Sequence, residues 1–310
     1  MRALVTGANG QVGRELVQRG RAQGIEVVGL DRTSLDITNA ARVAEVVSGG
    51  GWDVVVNAAA FTDVDGAESQ SDAAFSVNRD GAGALAAACS QAGLPLVHLS
   101  TDYVFDGGKG QPYTETDPVR PLNIYGASKA AGEDLVRENN PRHVILRSSW
   151  IFGAHGANFV KTMLRLSAGG APIRVVDDQW GCPTAAEDLA RVVWDIAVTV
   201  VAGNFAEWGT FHYCGAGAIS WYGFAQEVLR MAEGSGRAAS ARLLPIPSAQ
   251  WPSAARRPNN TVLDCTRIAE CFAVEQEPWV EGLREVLLAM AVENRAEDSS
   301  PQPLPQETRG

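Results

Sequence analysis

The chain has 310 residues, 45% of them apolar and 20% charged, enough for one large α/β unit or two modest domains with a buried core. A formal charge of −10 and a pI near 5.0, with no block of Lys or Arg, exclude a nucleic-acid-binding surface and require any anionic ligand to be held by local donors. No apolar run reaches the roughly 18 residues of a membrane span and no basic segment precedes an apolar stretch at the N-terminus, so the expectation is a cytoplasmic protein with no membrane contact.

Residues 1–6 form a short apolar strand that runs directly into Gly7-Ala-Asn9-Gly10-Gln11-Val12-Gly13, followed by a helical pattern. In such a strand, turn and helix, Gly7 permits the tight turn. Gly10 lets backbone N–H groups approach a pyrophosphate, and Gly13 lets the helix pack closely on the strand. The spacing is GxxGxxG. A second strand over 25–30 ends at Asp31, where an acceptor for a ribose 2′-hydroxyl belongs, and the adjacent Arg32 could instead receive a 2′-phosphate; use of both NADH and NADPH is expected. Residues 52–57 read as a continuous apolar strand of the parallel, doubly covered kind, ending in the small residues Ala58, Ala59 and Ala60. A helix over 72–92 and a strand over 94–100 continue the alternation, with Ser100, Thr101 and Asp102 at the strand end. This order predicts a Rossmann-type, doubly wound parallel sheet with its ligand crevice at the C-terminal strand ends.

Tyr125-Gly-Ala-Ser-Lys129 then places a phenol and an ammonium one turn apart on one helix face. A free tyrosine is a poor acid near neutrality, and a neighbouring cation favours the phenolate. Alone, YxxxK is weak, because a Tyr and a Lys at this spacing occur by chance on many helices; the glycine turn upstream gives it weight. A strand over 143–147 follows. Beyond it, a helix over 159–168, a strand over 173–176, a helix over 187–201 and a proline-rich stretch over 245–258 suggest a smaller α/β substrate domain over 151–292 beside a dinucleotide-binding domain over 1–150, with at least one crossing back. Residues 293–310 have almost no apolar content and are expected to be a disordered tail. Cys89, Cys182, Cys214, Cys265 and Cys271 are odd in number and lack a CxxC pair, and His98, His143, His155 and His212 are isolated; both sets are read as structural, with no zinc site.

The TGANGQVG turn, the strand-end NAAA, the STDYVFDG segment, the YGASK pair and the later DDQWGCPT together resemble the extended short-chain dehydrogenase/reductases, in particular the dTDP-4-dehydrorhamnose reductase family, over about residues 1–290. The resemblance implies hydride transfer from NADPH or NADH to the C4 ketone of a small-molecule dTDP-ketosugar. Tyr125 would be the acid, Thr101 the partner that steadies the carbonyl, and Lys129 the cation that tunes Tyr125 and holds the nicotinamide ribose. It further implies that Asn57, Ala58, Ala59, Ala60 and Thr62 line the cofactor, with Asp36 and Ile37 near the adenine. Val64, Asp102, Tyr103, Trp150 and Asn158 would face the nucleotide sugar, and Arg257 is a candidate diphosphate ligand, a structural arginine being the alternative there. Related dehydratases carry Thr-Asp-Glu where this chain has Thr101-Asp102-Tyr103, which disfavours elimination. An epimerase, a reductase of another dTDP-4-ketosugar, and a non-catalytic dinucleotide-binding regulatory subunit remain as alternatives. Some family members dimerise around Mg²⁺ held by glutamates; Glu15 and Glu187 match two such positions and Ala289 stands at a third, which argues against the metal while leaving a homodimer open.

Overall fold

The computed structural model describes residues 1–234 and 241–298, with side chains described up to residue 291. Six parallel strands form the main sheet: β1 (Arg2–Thr6), β2 (Glu26–Leu30), β3 (Val54–Asn57), β4 (Leu96–Thr101), β5 (His143–Ser148) and β6 (Gly209–His212). Their spatial order is β6-β5-β4-β3-β1-β2. The order reverses direction between β1 and β3, and an open α/β sheet binds its ligands outside the carboxyl ends of strands at such a switch point. β3 is buried along its whole length, as expected of a Val-rich strand covered by helices on both faces.

One apolar core lies between the sheet and the helices Gln11–Ala22 and Ala186–Val201, where the fully buried Trp194 donates its indole N–H to the Leu16 carbonyl at 3.0 Å. A second fills the opposite face of the sheet, under the helices Ala40–Gly49 and Ala82–Gln91. A third, built from Phe152, Val160, Phe224, Trp279 and Leu283, joins the helices Phe159–Ser167, Trp221–Gly234 and Trp279–Asp298 around the small parallel pair Ile173–Val176 and Leu243–Ile246.

The expected crossing back is β6, which pairs in parallel with β5, so part of the 151–292 segment completes the first sheet. Two sequence expectations are corrected. The helix expected over 72–92 is α-helical over Ser71–Phe75 and Ala82–Gln91 but π-helical over Ser76–Gly81, a segment that packs against helix Ile124–Asn139. The tail expected from 293 begins as helix: Trp279–Asp298 continues through the first six of those residues, and the remainder of that expectation, 299–310, lies outside the described residues. Among the described residues no helix is long and apolar enough to cross a membrane.

Candidate active site

The β1 strand end, the Gly7–Gly13 turn and the N-terminus of helix Gln11–Ala22 open onto a single cleft of about 1050 Å³. The backbone here is shaped for close approach. Gly7 is left-handed at φ 71°, and a Cβ on Gly13 would stand 2.1 Å from the Gly7 carbonyl oxygen. Asn9, Gly10, Gln11, Val12, Asp31 and Arg32 line this end of the cleft, with Asp36 and Ile37 beyond them and Ala58, Ala59, Ala60 and Thr62 opposite. Asp31 accepts bonds from the Asn9 amide at 2.5 Å and from Thr33 and Ser34, and the Thr33 and then the Ser34 donors hold its carboxyl down at about 2. Two of the residues expected to line the cofactor stand behind the cleft wall. Gly13 is buried beneath the Gly7 carbonyl, and Asn57 is 1% exposed, its amide tied to Thr6, His98 and Ala59, so both shape the cleft from behind.

At the other end, β4 and helix Ile124–Asn139 converge. Asn123 caps this helix by accepting from Gly126 N–H at 2.7 Å, while its own amide donates to the Arg256 carbonyl at 2.8 Å. Gly126 is required because a Cβ there would lie 2.1 Å from the Tyr103 carbonyl oxygen. The helix start, carrying Tyr125, therefore sits directly on the Thr101–Tyr103 backbone. The Tyr125 phenol and the Thr101 hydroxyl line this one wall, and Thr101 donates to Asp102 at 3.1 Å and accepts from Tyr103 N–H at 3.2 Å. Lys129 lines the same wall and donates to the Leu99 carbonyl at 2.6 Å.

Burial dominates the electrostatics. It pushes the Tyr125 phenol up to about 12 against the opposing Thr101 hydroxyl, and draws Lys129 down to about 8 against the pull of Glu133. The sequence expectation of a lowered Tyr125 is not met: loss of solvent outweighs the Thr101 hydroxyl, and the Asp102 charge adds to the rise. Asp102, 3% exposed with Oδ2 unpartnered, rises to about 7 through burial.

The residues expected around a nucleotide sugar all reach the cleft. Trp150, at φ 48°, stacks its ring on Trp221 with centroids 3.5 Å apart. Asn158 caps helix Phe159–Ser167 and spends its amide N–H bonds on Gln11 Oε1 and the Gly153 carbonyl, both at 2.8 Å, which bridges the glycine turn to this segment. Tyr103 meets Tyr125 edge to ring at 5.8 Å and lies near the Arg257 guanidinium on the cleft wall. Arg257 is not a solvated surface group: Asp65 holds it at 2.8 and 3.2 Å. Of the glutamates considered for a metal, Glu15 faces His155 at 3.8 Å and Glu187 faces Arg19 at 3.4 Å.

Sequence reasoning missed Asn78 in the π-helical turn. Its amide pairs with both the N–H and the carbonyl of Phe61, and also donates to Ser128 in the YGASK motif, tying the cleft loop to the Tyr125 helix. It also missed Trp221, Asp65 and the buried Glu133, which no local pattern marks.

A parallel sheet with a glycine turn at its switch point, joined to a buried Thr and Lys and a half-buried Tyr on one cleft wall, defines a dinucleotide-binding oxidoreductase fold of the short-chain dehydrogenase/reductase class. Within that class the model described as "RmlD substrate binding domain" matches residues 1–292, and the chain belongs to that family. It is 41% identical over 297 residues to the dTDP-4-dehydrorhamnose reductase of Sinorhizobium fredii, covering 95% of this chain and 99% of the relative. It is 44% identical to that of Burkholderia thailandensis, covering 90% and 95%. The crystal structure of dTDP-4-dehydrorhamnose reductase from Bacillus anthracis in complex with NADP superimposes with a TM-score of 0.86 at 36% identity, covering 93% of this chain and 99% of that one.

Proposed function

We propose that this protein reduces the C4 ketone of dTDP-4-dehydro-L-rhamnose to dTDP-L-rhamnose with NADPH or NADH. The observation that carries this reading is the single cleft on which the glycine turn and the Thr101, Tyr125 and Lys129 side chains all open. The cradle fits a dinucleotide: a Cβ at Gly7 or Gly13 would fall within 2.6 Å of backbone, and the helix N-terminus beside it suits a pyrophosphate. Gly10, Gln11 and Val12 would hold that pyrophosphate, Asp31 and Arg32 the adenosine ribose, and Lys129 the nicotinamide ribose. A bound reduced nicotinamide supplies the hydride.

This chain's residues do the rest. Charge that develops on the ketone oxygen needs a proton donor and a second hydrogen bond in a water-poor site. Tyr125 gives its proton to that oxygen, and the Thr101 hydroxyl would swing its one O–H from Asp102 to the same atom. With its high proton affinity Tyr125 is protonated throughout the neutral range, the state an acid for reduction requires. Arg257, aimed by Asp65, would take the diphosphate in a fork, and the Trp150 and Trp221 stack would close the sugar end. Tyr103 lies near Arg257 and is pushed above its ordinary range by burial, which opposes base chemistry of the dehydratase kind.

Purified protein, NADPH or NADH, and enzymatically generated dTDP-4-dehydro-L-rhamnose should show sugar-dependent oxidation at 340 nm that falls at least about a hundredfold in Tyr125→Phe. Dinucleotide binding without turnover of this sugar would refute the assignment.

A further inference from the structure

His98, in β4, is 1% exposed and belongs to a polar chain that ends at Lys129. Asn57 Oδ1 accepts from the Thr6 hydroxyl at 2.7 Å and from Ala59 N–H at 3.1 Å. A backbone N–H can only donate, so the Asn57 amide has one possible orientation, and its NH₂ points at His98 Nδ1, 2.9 Å away. His98 Nδ1 is therefore an acceptor and the ring proton is on Nε2. That Nε2 lies 3.5 Å from Lys129 Nζ. An ammonium has three donors and no lone pair, and one donor is spent on the Leu99 carbonyl at 2.6 Å. The imidazole beside it offers a second N–H rather than an acceptor.

We propose that His98 is a positioning residue for Lys129: fixed by Asn57 as the Nε2–H tautomer, it denies the lysine an acceptor on the sheet side and turns its free donors into the cleft. The groups facing His98 are Lys129, Glu133, His143 and Arg137. Burial first and then the Lys129 charge hold the imidazole well below its ordinary range, so His98 stays neutral while Lys129 titrates. A neutral amine at Nζ can accept from Nε2–H whereas an ammonium cannot, so His98 works in the same direction as burial, which draws Lys129 to about 8. Because Asn57 also binds Ala59 N–H, the same asparagine fixes the alanine floor of the cofactor end and, through the imidazole it orients, the lysine at the chemical end. The effect on turnover rests on the reductase reading; the orientation of Lys129 does not.

The chain has only three lysines, Lys109, Lys129 and Lys161, so a sample labelled at lysine ¹³Cε gives three resonances, assigned by single Lys→Arg changes. Lys129 should titrate near 8 in the unaltered protein. His98→Gln, whose amide can accept from Asn57 while presenting NH₂ to Lys129, should stay within about half a unit of that. His98→Glu, which presents an acceptor instead, should raise the titration by at least about one unit and weaken NADPH binding about tenfold or more. Equal titration in the Glu and Gln variants would overturn the proposal. Long-range ¹H–¹⁵N imidazole spectra of the unaltered protein decide it even if a variant does not fold: an Nε2–H tautomer that persists from pH 6 to 9 is expected, and an Nδ1–H tautomer or an imidazolium refutes it. Either result is independent of sugar turnover, so failure of the reductase reading is seen separately in the 340 nm assay.

Discussion

Replacing Glu133 by Gln tests the buried support beneath the active-site helix. Glu133 is fully buried one turn after Lys129, and its carboxylate is completely engaged. Oε1 accepts from Ser100 at 2.6 Å and Arg147 Nε at 2.8 Å, and Oε2 from Arg147 Nη2 at 2.6 Å and Arg137 Nη2 at 2.7 Å. Arg147 is 1% exposed, with its guanidinium 5.1 Å from the Phe105 ring centroid, so it has no route to solvent when its partner is neutralised. Glutamine keeps the volume but turns an NH₂ toward donors. Breaking a buried pair from one side costs about 3–5 kcal/mol. The titration gives a similar size: burial pushes the carboxyl up, but the Arg147 fork and the other donors outweigh it and hold it at about 2 instead of 4.5, which corresponds to about 3 kcal/mol. Because the folded value is the lower one, this stabilisation is complete above about pH 4.5 and disappears as pH falls toward about 2. Urea unfolding of the unaltered protein and Glu133→Gln should therefore differ by about 3 kcal/mol at neutral pH, with the gap closing only below about pH 4.5. Adding Arg147→Met to Glu133→Gln should recover much of the loss, since it removes the stranded cation. A neutral-pH difference under about 1 kcal/mol, or a gap that stays constant down to about pH 3, would refute the reasoning.

Two further changes separate binding from chemistry. In Gly126→Ala the new methyl meets the Tyr103 carbonyl at 2.1 Å, so the helix start carrying Tyr125 must shift; kcat should fall about a hundredfold while NADPH affinity, which the distant glycine turn shares with Lys129, falls by no more than about tenfold, as measured by turnover and by fluorescence titration. Asp31→Ala removes the carboxylate that would face a 2′-phosphate and leaves Arg32, whose side chain is 85% exposed, free to meet one. The ratio of kcat/KM with NADPH to that with NADH should rise about tenfold, and an unchanged ratio would show that Asp31 does not read the ribose.

The local chemistry of this site was legible because each part is encoded in a few consecutive residues. GxxGxxG after a strand specifies a turn of fixed shape, and i, i+4 spacing puts Tyr125 and Lys129 on one face whatever surrounds them. Strand β6 was not legible as part of the main sheet, since Gly209–His212 is four residues long and its place is set by pairing with β5 rather than by any pattern of its own. The same limit hid Asn78, which reads as an ordinary helical asparagine until the π-helical turn brings its amide onto Phe61 and Ser128.

His98 and Glu133 show why such residues escape a reading along the chain. Alternation along β4 marks position 98 only as buried, and a helix-face count marks position 133 only as lying on the sheet side; neither says that a donor or an acceptor is needed there. That need arises from partners 31 to 41 residues from His98 and, Arg137 on the same helix aside, 14 to 33 from Glu133. Burial itself creates the requirement, since a polar group taken from water must be paired inside the protein, and the pairing decides which proton each group carries. The motif residues thus name the candidate reacting groups, while burial moves their proton affinities, which is why Tyr125 lies near 12 and Lys129 near 8 although their spacing alone suggested a lowered phenol.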